Sequence, residues 1–202
     1  VEVLTNFFTM RLATTNRRSC SMSDKEIVLH CAPTLAGLKT GSLFSYFIED
    51  RENISQEIRK LNRVFVPKGL CLLPLYCCEN RVLMYLYRPE YLKKDLIQKE
   101  AAEILEKYGY KGKSCGQCLQ TLKKRISEEG GFPHEIGLFL SYPPEDVNGF
   151  IERKVCKFVG YWKVYGNEVK ARDTFEKYRK CTEQYCRALD RGQRLDKLAV
   201  AK

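Results

Sequence analysis

Apolar positions along this chain fall into a few short runs and several longer stripes at helical spacing. Residues 26–30 form a short apolar run that predicts a first strand, and the glycine-containing stretch after it predicts a loop entering a helix. Residues 43–48 and 53–65 predict helix, the second with Asn53 and Gln56 at capping-box spacing and Ile54, Ile58, Leu61 and Phe65 on one face. Pro67-Lys68-Gly69 stops that helix. Two apolar runs, 70–77 and 81–88, flank Cys78-Glu79-Asn80 and predict a β-hairpin. Residues 91–108 carry Leu92, Leu96, Ile97, Ile104, Leu105 and Tyr108 at helical spacing, and Gly109 ends the stripe. Ser114 with Gln117 marks the start of a further helix running to about Glu128.

The third quarter of the chain is less decisive. The apolar run 135–140 fits a strand or a turn of helix, being too short to choose. Pro143-Pro144-Glu145-Asp146 opens a helix, with proline in the first turn and acids facing the positive end of the dipole. Residues 155–161 read as strand, and 169–189 as a long helix with Phe175, Tyr178, Thr182, Tyr185 and Leu189 inward. The predicted fold is α/β or α+β: a single domain over 22–190 with a mixed sheet containing one antiparallel hairpin and flanked by helices. A basic tail, 191–202, follows.

Composition narrows the class. A length of 202 residues suffices to bury a core without covalent staples, and no apolar run reaches the length of a membrane helix. The formal charge of +10 is distributed among alternating acids and bases, as on solvated helix faces, with no aromatic RNA-binding signature and no zinc-finger spacing; nucleic acid is not an expected partner. The first 21 residues read as a translated leader before Met22-Ser23-Asp24-Lys25, with an arm carrying Leu4, Phe7, Phe8 and Leu12 as the alternative, and they lack the basic-then-apolar layout of a signal peptide. Nine of the ten cysteines lie outside that leader, an odd number that fits free thiols in a reducing cytosol better than a disulfide framework.

Candidate chemistry concentrates in residues 30–42. A loop entering a helix presents backbone donors, so Lys39, with the hydroxyls of Thr34, Thr40 and Ser42 and the ring of His30, is expected to hold a phosphate or carboxylate. The stretch Gly37-Leu38-Lys39-Thr40-Gly41-Ser42 is not a P-loop, which needs glycine directly before the lysine. Cys31 is the thiol to single out as a nucleophile, with His134 as its base. In an extended segment Glu135 turns away from His134, which makes a Cys31–His134–Glu135 triad awkward. Trp162, Lys163 and Tyr165 form a candidate wall for an anionic or aromatic ligand. Glu145 and Asp146 read as dipole-complementing acids. Cys115 shares a helical face with Leu119, Leu122 and Ile126, so the Cys115/Cys118 pair reads as core packing, with no second pair to close a zinc site.

Three separated motifs, His30-Cys31-Ala32-Pro33-Thr34-Leu35-Ala36-Gly37-Leu38-Lys39-Thr40, Pro133-His134-Glu135-Ile136-Gly137-Leu138-Phe139-Leu140-Ser141-Tyr142-Pro143-Pro144-Glu145-Asp146-Val147 and Gly160-Tyr161-Trp162-Lys163-Val164-Tyr165-Gly166, resemble the Domain of Unknown Function 3793 family of anaerobic Firmicutes. The resemblance spans residues 22–189. It implies no established activity and no known cofactor, only a genomic association with iron-uptake and flavodoxin genes; Cys77-Cys78 and the Cys115/Cys118 pair depart from the family pattern. The leading expectation is therefore a cytosolic protein that binds a small anionic ligand through loop 31–42. The alternatives are a thiol-dependent enzyme using Cys31 with His134, and an iron, haem or redox accessory protein.

Overall fold

The computed structural model describes residues 22–47, 51–78, 81–128 and 132–201; the predicted leader, 1–21, the last residue of the helix predicted over 43–48, and Glu79 and Asn80 of the hairpin turn lie outside them. In chain order the elements are helix α1 (Asp24–Leu35), strand β1 (Gly41–Phe47), helix α2 (Arg51–Phe65), strands β2 (Cys71–Cys78) and β3 (Arg81–Tyr87), helices α3 (Pro89–Leu96), α4 (Lys99–Glu106), α5 (Cys115–Glu128), α6 (Ile136–Phe139) and α7 (Pro144–Ile151), strands β4 (Phe158–Val159) and β5 (Lys163–Val164), and helices α8 (Glu168–Asp190) and α9 (Leu195–Leu198). The fold is α+β. Contacts group the described residues into two compact units, one made of 22–88 with 178–201 and the other of Pro89–Lys177.

In the first unit the predicted opening strand is a helix. Ser23 caps it: the Glu26 amide donates to Ser23 Oγ at 3.2 Å and the Ser23 amide donates back to Glu26 Oε2 at 3.3 Å, a complete capping box. That nucleation decides a segment whose apolar run alone could serve either state. Ile27, Val28, Cys31, Ala32 and Leu35 then share the buried face, each large aliphatic side chain contributing roughly 1.5–3 kcal/mol as an upper estimate.

The stretch expected to be helix after the loop is instead β1. It pairs antiparallel with β3 from Gly41↔Tyr87 to Phe47↔Arg81, and β2 pairs antiparallel with the other side of β3, giving the order β1-β3-β2. Every pairing among the described strands is antiparallel, where a mixed sheet was expected. Strand β3 is buried from Val82 to Tyr87, as a central strand covered on both faces requires. Gly41 faces the Tyr85 ring so closely that a β-carbon there would collide with it. The predicted hairpin is present, with a bulge between Pro74 and Tyr76. Proline is tolerated there because β2 is an edge strand. Helix α2 starts at Arg51, which places Asn53 inside the helix instead of at its cap. The Asn62 amide then meets β2 backbone, donating to Leu72 O at 2.9 Å and accepting from the Leu72 amide at 2.8 Å.

The segment expected to be a basic tail carries part of this core. Leu195, Leu198 and Ala199 are buried with α1 and the sheet. Lys68 Nζ donates to the carbonyls of Asp196 and Ala199, and the Val200 amide donates to Leu35 O at 3.1 Å.

In the second unit the single helix expected over 91–108 is broken: Gln98 is extended, and α3 and α4 lie either side of it. Helix α5 begins and ends where predicted, with Ser114 and Gln117 exchanging hydrogen bonds at its start. The ambiguous 135–140 run resolves to the short helix α6. Glu135, before it, is fully buried and is held by Arg125 Nε at 2.5 Å and the Tyr110 hydroxyl at 3.0 Å. The strand predicted over 155–161 shrinks to the two-residue ladder β4–β5. None of the described helices is long and apolar enough to cross a membrane.

Candidate functional site

Residues 31–42 run from helix into strand, the reverse of the expected order, and this changes their chemistry. The end of α1 presents carbonyls and the negative end of the helix dipole, where cations and not anions are stabilised. The turn also uses its own donors. The amides of Ala36, Gly37, Leu38 and Lys39 donate to Ala32 O, Thr34 O, Pro33 O and Pro33 O at 2.8–3.2 Å. Arg88, almost completely buried, covers the carbonyls: Nε donates to Thr34 O at 2.9 Å, and Nη2 to Leu35 O and Val200 O at 2.8 Å. Its amide donates to Thr40 O at 2.8 Å.

Of the side chains predicted as ligands there, the three hydroxyls are internal as well. Thr34 and Ser42 share a buried hydroxyl–hydroxyl hydrogen bond of 2.8 Å, and Thr40 is buried. His30 stacks on Phe44 with ring centroids 6.0 Å apart, and that packing lowers its pKa against the raising effect of Glu26. Lys39 is half-buried with its ammonium 5.9 Å from the Tyr178 ring centroid. Burial pushes its pKa down to about 8, with Cys31 opposing. Cys31 is fully buried on the inner face of α1, and burial drives its thiol well above the ordinary range. A thiol held protonated and away from solvent is a poor nucleophile.

Cys31 belongs to the first unit and His134 to the second. His134 is exposed and meets Phe150 edge-on at 5.0 Å, while Glu135 points into the core toward Arg125. Among the described residues no group of three or more histidine, cysteine, aspartate or glutamate side chains comes together as a metal would need.

The second unit contains the more open arrangement. A cleft of about 250 Å³ is lined by residues of α3 and α4 (Asp95, Gln98, Ala101), the segment before α7 (Leu138, Ser141–Glu145), Trp162, and the start of α8 (Asn167, Lys170, Ala171, Thr174). Two of the three family-like motifs meet here through Asp146. Its buried carboxylate accepts from Trp162 Nε1, the Tyr165 amide and the Gly166 amide, each at 2.7 Å. Glu145 Oε1 accepts from the Asn167 amide at 3.2 Å. Gly166 lies so close to the Glu145 carboxylate that a side chain would strike it. The two acids thus clamp the 162–167 segment, a stronger role than the dipole complementation expected of them.

This clamp fixes the aromatic wall. Trp162 stacks on Tyr142 at 4.9 Å and meets Phe175 edge-on at 4.4 Å. Of the predicted wall only Trp162 lines the cleft: Lys163 extends its ammonium to 5.4 Å from the Phe150 ring centroid, and Tyr165 packs against Gly149. Ser141 carries a positive φ of 58°, which turns the chain at the cleft edge. Lys170 is exposed at the rim, and its ammonium forms no ion pair among the described residues. Sequence reasoning passed over Ser141, Tyr142, Asn167 and Lys170. Asn167 and Lys170 did carry a signal: the Asn167 side chain accepts from the Lys170 amide at 2.9 Å, a capping contact at recognisable spacing.

Fold and cleft together describe an α+β protein with a small pocket whose lining includes the acids Asp95 and Glu145, the indole of Trp162 and the exposed Lys170. The chain belongs to the family described as a protein of unknown function, DUF3793, which matches residues 27–199. No curated protein and no solved structure matches it. The matched span includes the α9 segment, in keeping with the packing of Leu195 and Leu198 in the core.

Proposed function

We propose that the protein binds a small anionic ligand, one bearing a carboxylate or a phosphate, in the cleft walled by Tyr142 and Trp162. The observation that carries the reading is the convergence of two family motifs on one pocket whose rim supplies Lys170, a cation with no ion pair among the described residues. A volume of about 250 Å³ falls below the roughly 300–1,000 Å³ of pockets for drug-sized ligands, so the ligand is small. The apolar floor of Ala101, Leu138, Trp162 and Ala171 favours a ligand with one flat or aliphatic face and one charged end. The nine cysteines among the described residues are free thiols, which suits a reducing, cytosolic setting. The expectation of an anionic ligand is kept; its place moves from 31–42, where donors and carbonyls are already paired, to the cleft.

The test is calorimetric titration with inorganic phosphate, acetate and benzoate. Lys170→Met should weaken the best of these roughly tenfold, about 1.4 kcal/mol, the low end for a charged contact because the ammonium stays hydrated at the rim. Lys39→Met should leave the affinity unchanged. Loss of binding in Lys39→Met with full binding in Lys170→Met would reject the reading.

A further inference from the structure

Cys115 and Cys118 lie apart from the cleft's binding residues and carry a second, independent chemistry. They sit three residues apart in the first turn of α5, and Cys118 adds to the burial that raises the Cys115 thiol. Cys118 is nearly buried, and its thiol donates weakly to Lys113 O at 3.8 Å. Cys115 is half-buried and open to attack. We propose that this pair is a redox-active dithiol, which closes to an intrahelical disulfide by exchange with a small-molecule disulfide of the glutathione class.

Geometry supports closure. Side chains three apart on a helix have β-carbons about 5–6 Å apart, and a disulfide needs about 3.5–4.5 Å, so the first turn must tighten by roughly an ångström. Gly116 lies between the cysteines, and a β-carbon there would meet nothing within 4 Å. A glycine in open space allows that tightening. The turn is held by Ser114 N to Gln117 Oε1 at 2.8 Å and Gln117 N to Ser114 Oγ at 3.4 Å, both on an exposed surface, and by the Cys118 amide to Ser114 O at 2.8 Å. The other cysteines among the described residues lack this arrangement. Cys77 and Cys78 are neighbours on a strand and point to opposite faces, Cys181 and Cys186 are five apart on α8, and Cys31 is sealed in the core.

The exchange balances in two steps. Cys115, as thiolate, attacks one sulfur of the glutathione disulfide; that S–S bond breaks, and the first glutathione leaves as a thiolate and takes up the proton. Cys118 then attacks the Cys115 sulfur, and the second glutathione leaves in the same way. The protein dithiol is oxidised and one glutathione disulfide is reduced to two thiols. Burial raises both thiols, with Glu90 adding to Cys115 while Lys93 and Lys113 oppose. Attack therefore runs through the minor thiolate fraction of Cys115, so the exchange quickens as pH rises.

The full chain, equilibrated in mixtures of reduced and oxidised glutathione, alkylated and digested with trypsin, yields a peptide 114–123 that holds these two cysteines and no other. Under oxidising mixtures this peptide should become two hydrogens lighter and lose both alkylation sites together. In Cys118→Ser it should instead keep one glutathione on Cys115. Two free, alkylated cysteines under the oxidising mixture, two separate glutathione adducts, or a bridge from either cysteine to a different peptide would overturn the proposal. The wild-type digest decides the matter even if the variant fails to fold.

Discussion

The turn that ends α1 and the cleft beside Trp162 are both dense in polar side chains and backbone groups, yet they are opposite in what they leave open. At the turn Pro33 O takes two amides, Arg88 takes the carbonyls of Thr34, Leu35 and Val200, and Thr34 takes Ser42. At the cleft the buried acid Asp146 is spent on holding the wall, and Lys170 stands at the rim with its charge unpaired among the described residues. The difference teaches that polar density marks a binding site only where the chain's own groups leave some of it unsatisfied. A buried polar cluster that closes on itself is a joint.

The strongest way to break this comparison is at Arg88. Arg88→Met should destabilise the protein by roughly 3–5 kcal/mol, because three carbonyls, two of them fully buried, lose a charged donor together. Urea unfolding monitored by circular dichroism measures this, and a loss under 1 kcal/mol would mean the turn is not the joint described. Lysine should not rescue the position, since it lacks the planar fork that reaches several carbonyls at once.

Asp146→Asn is next, with an expected cost of about 2–3 kcal/mol, since an amide cannot accept from all three donors that the carboxylate now satisfies. The same substitution should shift Trp162 fluorescence, because Nε1 loses its charged partner. An unchanged emission maximum would contradict the clamp.

Lys39→Met probes the other side of the comparison and should have the smallest effect, with the opposite sign. A lysine whose pKa falls to about 8 on folding carries a penalty that is complete below that pH. The penalty fades as pH rises from about 8 toward the unfolded value near 10.4. Allowing for partial exposure, methionine should stabilise the protein by about 1–2 kcal/mol at pH 7, with the advantage over wild type shrinking by pH 10. Thermal or urea melts of both proteins at several pH values check it, and a destabilised variant at pH 7 would show Lys39 holding a favourable charge contact.

Legibility in the sequence followed the physics of each segment. The helix from Ser114 to Glu128, the hairpin, the Pro144 helix and the long α8 were readable because each has a cap, a turn or a long stripe. The first two elements were exchanged. The apolar run at 27–29 resembles a strand, and the capping box Ser23–Glu26 that settles it lies just upstream. Residues 41–47 hold too short an apolar run to separate helix from strand, and the deciding contact, the pairing with β3, is distant in sequence. That exchange misplaced the expected anion loop, since a helix start and a helix end carry opposite dipoles. Trp162 was legible as a wall. Lys170 was not, because its place at the cleft follows from the Asp146 and Glu145 clamps, which are contacts between separate segments.

The most direct test of the cleft is a titration of isotope-labelled protein with inorganic phosphate and with benzoate, followed through the backbone amide signals. The account predicts that shifts concentrate at 141–145 and 167–174, the two rims of the cleft, and that residues 36–42 stay unchanged. Shifts centred on 36–42, with the cleft silent, would contradict it.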